Sequence, residues 1–267
     1  MSLFTYYVRV FFNYSPKLAI ELASGFFAQV ALLFEIWFFL ITRKTILRGK
    51  NKTFNFIFKN KEFSLTLNSV VDIAVLAEVF VLKEYQWPLE HGVTNILDLG
   101  AHWGDSSIYY AINYPEATIF AVEPTPVPYS RLEAVSKQFN NIVPIEGALS
   151  SKVGTQKLFI SSTTFGNSFT NRNNVDDEII VKTYDFGAFC DLAKVKCFDL
   201  VKFDIEGAES YIFENSKIKD LSTAFIGEIH LDLMDFTLDD IKKYFFGFKL
   251  DIEKISEKRY ILRAVKN

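Results

Sequence analysis

The chain has only two cysteines, Cys190 and Cys197, in 267 residues. Two cysteines cannot make a disulfide framework, and these lack the paired CxxC spacing of a zinc site. Three histidines, His91, His102 and His230, leave little material for a histidine-based metal centre, so no metal ligands are assigned. Basic charge is not in surplus: 29 Lys and Arg stand against 32 Asp and Glu, a net charge of −3, and a nucleic-acid partner is not expected. Apolar residues are not scarce either. At 49% hydrophobic and 23% charged, the composition excludes disorder. There is no internal repeat and no low-complexity tract. What is present is enough chain for one large or two small α/β domains in a cytoplasmic compartment, with an unusual store of rings: 28 Phe, 12 Tyr and 3 Trp.

Charge is unevenly spread. Residues 1–60 carry Arg9, Lys17, Arg43, Lys44, Arg48, Lys50, Lys52 and Lys59 against Glu21 and Glu35, so the remainder holds the negative charge. The same segment has the longest apolar run, Ala23 to Ile41. At 1.5 Å per residue a helix of that length nearly crosses a hydrocarbon core of about 30 Å. The basic cluster Arg43–Lys52 behind it would leave the rest of the chain cytoplasmic. On a helical wheel, however, Glu21, Ser24, Gly25, Ala28 and Glu35 share one face, which suits a helix lying on a membrane surface or packed on a partner. Membrane span, membrane-surface helix over residues 20–45 and soluble packing helix all stay open. Residues 1–52 are therefore expected to form a hydrophobic and basic helical segment, and residues 53–267 the working domain.

From residue 53 the pattern changes. Thr53–Phe58 and Glu62–Leu67 flank Lys59-Asn60-Lys61 as a small hairpin, and Val71–Tyr85 has helical spacing, stopped by Pro88. A strand–helix alternation follows: strands at 95–100, 118–123, 142–149, 198–205 and 224–230, and helices at 105–114, 127–139, 208–215 and 238–246. A polar stretch, Ser161–Asp177, interrupts it, and two strand-like runs, Lys249–Ile255 and Arg259–Val265, close the chain. This predicts an α/β fold: a mostly parallel sheet with helices on both faces and one antiparallel C-terminal strand.

Two motifs point to a ligand. In Ile96-Leu97-Asp98-Leu99-Gly100-Ala101-His102-Trp103-Gly104-Asp105 a strand runs through a glycine turn into a helix start, where N–H groups are free. About 20 residues on, strand 118–122 ends in Glu123-Pro124, where a carboxylate can accept from both ribose hydroxyls. Together they specify a nucleoside-containing cofactor. A dinucleotide wants three glycines so that backbone can meet a pyrophosphate. Here His102 and Trp103 fill the middle, and Asp98 is unfavourable beside phosphate but suits a cation. S-adenosylmethionine, which carries a sulfonium and an ammonium and no phosphate, fits better. Its expected contacts are Asp98, Gly100, Ala101, His102, Trp103, Gly104, Glu123 and Pro124, with Glu146, Gly147 and Ala148 from the next strand end.

The segment Asp199-Leu200-Val201-Lys202-Phe203-Asp204-Ile205-Glu206-Gly207-Ala208-Glu209 resembles the signature of the FkbM family of S-adenosylmethionine-dependent methyltransferases. DLGAHWGDSSIYYA is similar to that family's D-x-G-A-N-x-G opening and FAVEP to its second strand; Gly227-Glu228-Ile229-His230 also falls in the family's order. The resemblance covers roughly residues 53–267. It implies a Rossmann-like class I methyltransferase sheet and O-methyl transfer to a hydroxyl of a sugar, glycan, lipid or related metabolite. One departure is His102, where the family usually has Asn.

Asp204 and Glu206 flank Ile205 at a strand end, so alternation sends both carboxylates to one side, where α/β sheets bind ligands. The alternative is that both merely cap the next helix. Asp204 is the first choice as the base that takes the acceptor's proton, Glu206 its helper, and His230 on the adjacent strand a reserve base. A divalent ion bridging Asp204 and Glu206 is a competing arrangement, though two carboxylates alone make a weak site. A nicotinamide-dependent oxidoreductase or sugar-modifying enzyme, and a non-catalytic methyltransferase relative, are the competing functions; the first would need a third glycine and a Tyr–Lys relay, neither of which is visible.

Overall fold

The computed structural model describes residues 3–45, 51–86, 92–161 and 175–267, in two compact units, Met1–Gln86 and Trp87–Asn267. Pro88, His91, Arg48, Lys50 and most of the polar stretch 161–177 lie outside the described residues.

The first unit joins helices α1 (Leu3–Arg9), α2 (Ser15–Glu21) and α3 (Phe26–Thr45) to strands β1 (Lys52–Phe58) and β2 (Lys61–Leu67) and helix α4 (Val70–Leu76). Wide π turns continue α1 over Val10–Tyr14 and α4 over Ala77–Leu82. The hairpin turns through Lys59 and Asn60, both left-handed at φ 47° and 65°, the pair of positive angles that a two-residue turn needs to match strand twist. Alternation then puts Phe54, Phe56, Phe58, Phe63, Leu65 and Leu67 on one buried face. Phe54 packs edge-on to Phe39 of α3, and Phe58 to Phe80. This shared aromatic core places the unit boundary after Gln86, not after residue 52: the hairpin has its apolar face against the helices before it. Lys83, left-handed at φ 57°, ends the helix that the sequence carries on to Tyr85.

Among the described residues no helix is long and apolar enough to cross a membrane, which removes the spanning reading of Ala23–Ile41. In α3 the residues Leu32, Ile36, Phe39 and Leu40 face inward, Trp37 donates to the Phe11 carbonyl, and Glu35 pairs with Lys52 at 3.5 Å. A second apolar stripe stays outside: Phe27, Phe34 and Phe38 are 87%, 62% and 61% exposed.

The second unit carries β3 (Asn95–Leu99), α5 (Asp105–Asn113), β4 (Thr118–Glu123), α6 (Pro126–Ser136), β5 (Ile142–Glu146), β6 (Ala148–Leu149), β7 (Gly154–Ser161), β8 (Val175–Tyr184), α7 (Phe186–Ala193), β9 (Phe198–Phe203), α8 (Ser210–Phe213), α9 (Ser216–Asp220), β10 (Ser222–His230), α10 (Leu238–Tyr244), β11 (Phe248–Lys254) and β12 (Arg259–Lys266). Seven strands form one sheet in the order β11-β12-β10-β9-β3-β4-β5. β12 runs antiparallel to both neighbours, and β10, β9, β3, β4 and β5 pair in parallel. This is the expected α/β sheet with its one antiparallel strand. Leu97, Leu99, Val201, Phe203 and Phe225 meet Phe186, Phe213 and Phe245 on one face, while Asp98 and Lys202 face α5.

Two expectations differ. Residues 142–149 split into β5 and β6, because Gly147 turns the chain into a separate three-stranded sheet, β6-β8-β7, whose strands flank the polar stretch. The helix expected at 208–215 divides into α8 and α9, broken where Asn215 caps α9 by accepting from the Lys217 N–H. Of the two cysteines, Cys190 is buried in α7 and Cys197 is exposed.

The sheet decides where a ligand can sit. From β3 the chain moves outward to β4 and β5, then returns to lay β9 on β3's other side. The order reverses between β3 and β9, and open α/β sheets bind ligands outside the carboxyl ends of strands at such a point.

Candidate active site

At the end of β3, Asp98 is fully buried and its register partner on β9 is Lys202. The two form an ion pair at 3.0 Å, and Lys202 Nζ also donates to the Gly100 carbonyl at 2.8 Å. Ser106 and Ser107 of α5 donate to Asp98 Oδ2 at 2.7 and 2.6 Å. Burial opposes the Lys202 charge, but Asp98, Asp204 and Asp105 together outweigh it and hold the ammonium pKa above its ordinary value. Asp98 is thus out of a ligand's reach as a side chain and acts by fixing the turn above it.

That turn is tight. Gly100 has φ 75°, and a Cβ there would overlap the Asp204 carbonyl oxygen. The Asp204 N–H donates to the Leu99 carbonyl at 3.1 Å. The two sequence motifs therefore touch through their backbones at the reversal of strand order. His102 is also left-handed, at φ 51°, a conformation that Asn, Asp and His visit more readily than other residues. Its N–H donates to Glu123 Oε2 at 2.9 Å, and its ring lies 3.4 Å from Asp105, a contact that raises its pKa against the effect of burial.

Glu123 ends β4 as a buried carboxylate whose pKa burial raises; the Thr125 N–H and hydroxyl both donate to Oε1. Gly147 donates its N–H to the Glu123 carbonyl at 3.1 Å. Gly100, Ala101, His102, Glu123, Pro124 and Gly147 thus gather at the ends of β3, β4 and β5. Glu146 also ends β5, opposite Glu123 in the register, and the other expected contacts are placed differently. Trp103 is buried beneath the turn, with the Arg131 guanidinium 5.2 Å over its ring, and Gly104 opens α5 against Leu132. Glu146 faces Lys182 in an exposed pair at 2.7 Å, and Ala148 lies in the second sheet.

This arrangement suits S-adenosylmethionine. The one buried lysine beside the turn is consumed by Asp98 and a carbonyl, so it offers no cation to a pyrophosphate. Glu123 Oε2 has a single protein donor and keeps a lone pair for a ribose hydroxyl.

Across the reversal, Asp204, Glu206, Glu228 and His230 converge. Glu228 and His230 alternate onto one side of β10, and His230 is fully buried. Its Nδ1 lies 2.8 Å from Glu209 Oε1; Glu209, itself buried, also accepts from the Gly207 N–H at 2.7 Å. His230 Nε2 points among three carboxylates, 3.6 Å from Glu228, 3.7 Å from Glu206 and 4.0 Å from Asp204. Arg259, opposite His230 in the register, lies 3.7 Å from Glu228 and 4.0 Å from Glu206. Glu206 is left-handed, at φ 51°, which strains a non-glycine residue at the centre of the cluster.

Electrostatics in the cluster are unbalanced. Burial, then the Asp204 charge, pushes Glu228 up to about 8 and raises Glu206 as well. Burial alone would lower the His230 pKa, but the Glu209 hydrogen bond and the carboxylates raise it to about 10. With no further cation among them, these carboxylates favour the charged imidazole and make His230 a weaker proton acceptor than an ordinary histidine. Glu228, Glu209 and Arg259 escaped the sequence reading of the site. Glu228 had one available signal, its place two residues before His230 on a strand.

A parallel sheet with a glycine turn and a strand-end carboxylate at its reversal point suits an enzyme with a nucleoside cofactor. The methyltransferase FkbM domain model matches residues 98–254, more than half of the chain, and the chain belongs to the FkbM family of S-adenosylmethionine-dependent methyltransferases. No curated protein matches it. Among solved structures, the chain is similar to the Methanococcus jannaschii fibrillarin pre-rRNA processing protein (15% identity, 83% of this chain and 86% of that one, TM-score 0.47). It is also similar to Aeropyrum pernix fibrillarin with natively bound S-adenosyl-L-methionine (16%, 79% and 82%, TM-score 0.44) and to a precorrin-6y C5,15-methyltransferase from Geobacter metallireducens (17%, 73% and 88%, TM-score 0.39).

Proposed function

We propose that the chain is an O-methyltransferase acting on a hydroxyl of a sugar, glycan, lipid or related metabolite. The observation that carries this reading is the backbone contact between the Gly100 turn and Asp204, which sets a carboxylate cluster beside the cofactor end of the sheet. When bound, S-adenosylmethionine supplies a methyl group on a sulfonium, open to in-line displacement. Glu123 accepts from the ribose hydroxyls, and the turn from Gly100 to His102 lies beneath the methionine end. Asp204, the most exposed carboxylate of the cluster, takes the acceptor's proton as the new bond forms; Glu206 and Glu228 hold the acceptor. The net charge of −3 favours a small-molecule or glycan acceptor over nucleic acid. Tritiated methyl transfer from S-adenosylmethionine into a host extract tests the activity, and calorimetry tests the cofactor. Micromolar NAD binding with none for S-adenosylmethionine would overturn the reading.

The first unit serves location in this proposal, on the cytoplasmic side of a membrane. The stripe of Phe27, Phe34 and Phe38 on α3, in a segment rich in basic residues, suits an anionic lipid surface. The full-length chain should float with phosphatidylserine-containing vesicles, and Phe27→Ser with Phe34→Ser should abolish flotation. A dimer that the same substitutions dissociate, with no flotation, would replace lipid by a second copy.

A further inference from the structure

The geometry points to a divalent transition-metal site formed by Asp204, Glu228 and His230. One ligand atom from each lies within 4.8 Å of the other two. Two ligands held about 2.1 Å from one ion stand roughly 3 to 4 Å apart, and His230 Nε2 lies 3.6 Å from Glu228 and 4.0 Å from Asp204. These separations are too long for hydrogen bonds and short enough for a shared cation.

A cluster of carboxylates alone would say little, since acidic groups collect at many surfaces without an ion. His230 adds an independent observation. Its ring is fully buried, yet among the described residues Nε2 has no hydrogen-bond partner, and neither has Glu206 Oε2 alongside. Buried polar atoms are ordinarily satisfied, and an orphan aimed into a group of carboxylates calls for a ligand. The far side of the ring is built as metal-bound imidazoles are built: Glu209 engages Nδ1 at 2.8 Å, fixing the orientation that turns Nε2 inward. Glu209 is itself locked by the Gly207 N–H. The Arg259 guanidinium, whose side chain is 37% exposed, lies 4.0 Å from Glu206 and 3.7 Å from Glu228, and a doubly charged ion would relieve the repulsion that remains among the carboxylates.

The donor set selects the class of ion. Two carboxylates and an imidazole suit manganese, iron or zinc, whereas magnesium and calcium prefer oxygen alone. Three protein ligands leave coordination positions open to water or to an acceptor hydroxyl. That use of the ion rests on the methyl-transfer reading; the existence of the site does not.

The test is titration of the full-length, EDTA-treated chain with manganese(II), followed by calorimetry and electron paramagnetic resonance. One ion per chain should bind, with magnesium at least about tenfold weaker. Asp204→Asn and Glu228→Gln should each weaken manganese by at least about tenfold, while Glu62→Gln on the first unit's hairpin leaves it unchanged. Pulsed resonance should detect a nitrogen coupling in the wild-type chain, so nitrogen ligation can be read even if a His230 variant fails to fold. No saturable binding up to millimolar manganese, binding indifferent to the Asp204 and Glu228 variants, or a bound ion with no nitrogen coupling would each overturn the site. S-adenosylmethionine binding to the same sample separates the two proposals: cofactor without manganese removes the ion and spares the methyltransferase reading, and manganese without cofactor does the reverse.

Discussion

Two groups of carboxylates flank the point where the sheet's strand order reverses, and the fold treats them in opposite ways. Asp98 lies in the sheet with Lys202, Ser106 and Ser107 against its two oxygens. Asp204, Glu206 and Glu228 lie past the strand ends around an imidazole nitrogen and a carboxylate oxygen that have no hydrogen-bond partner among the described residues. Both groups belong to the family's sequence signature, so composition does not separate them. Charge balance does: Asp98 meets the Lys202 ammonium and two hydroxyls, while Asp204, Glu206 and Glu228 crowd around His230 and Arg259; a balanced buried network fixes a shape, and an unbalanced one keeps capacity for something that is not protein.

The difference predicts opposite responses to mutation. The largest effect belongs to the balanced network. Lys202→Met leaves Asp98 buried and uncompensated, and urea denaturation should show a loss of about 3–5 kcal/mol; an unchanged midpoint would mean that the pair is not structural. In the unbalanced group, Asp204→Asn should lower turnover by at least about a hundredfold, about 2.7 kcal/mol in the barrier, with cofactor affinity nearly intact. Full turnover on an identified acceptor would remove Asp204 from the chemistry. Glu123→Ala should weaken S-adenosylmethionine about ten- to a hundredfold in calorimetry, the loss of a charged hydrogen bond worth roughly 1.5–3 kcal/mol. The smallest effect sharpens the comparison most. In EDTA, Glu228→Gln should leave stability within about 1 kcal/mol of wild type or raise it, because it relieves repulsion among like charges. A loss as large as that of Lys202→Met would make the second cluster a scaffold like the first.

Much of this was legible in the residues. The alternation of strand-like and helix-like periods gave the parallel sheet and its closing antiparallel strand, because burial on both faces leaves a plain apolar signature in each strand. Lys202 within an apolar strand needs a counter-charge, and Asp98 supplies it. The second small sheet was not legible, since β7 and β8 border a polar stretch and carry Thr155, Lys157, Glu178 and Lys182 on strands whose pairing only the fold reveals. The exposed stripe of α3 was hidden for a related reason. The small and polar face of this helix leaves aromatic residues around all its other sides, and which phenylalanines turn inward depended on where Phe54 and Trp37 found partners.

By itself the sequence determined the order of the strands along the chain, the glycine turn after β3, the carboxylate ending β4 and the acidic run ending β9, because each follows from local period, backbone freedom and residue chemistry. Only the tertiary structure decided that Asp98 would be closed off and that Glu228, Glu209 and Arg259 would join Asp204 and His230. Those residues come from separate strands and turns, and what a carboxylate does depends on the donors that reach it in space, which neighbours in sequence do not fix.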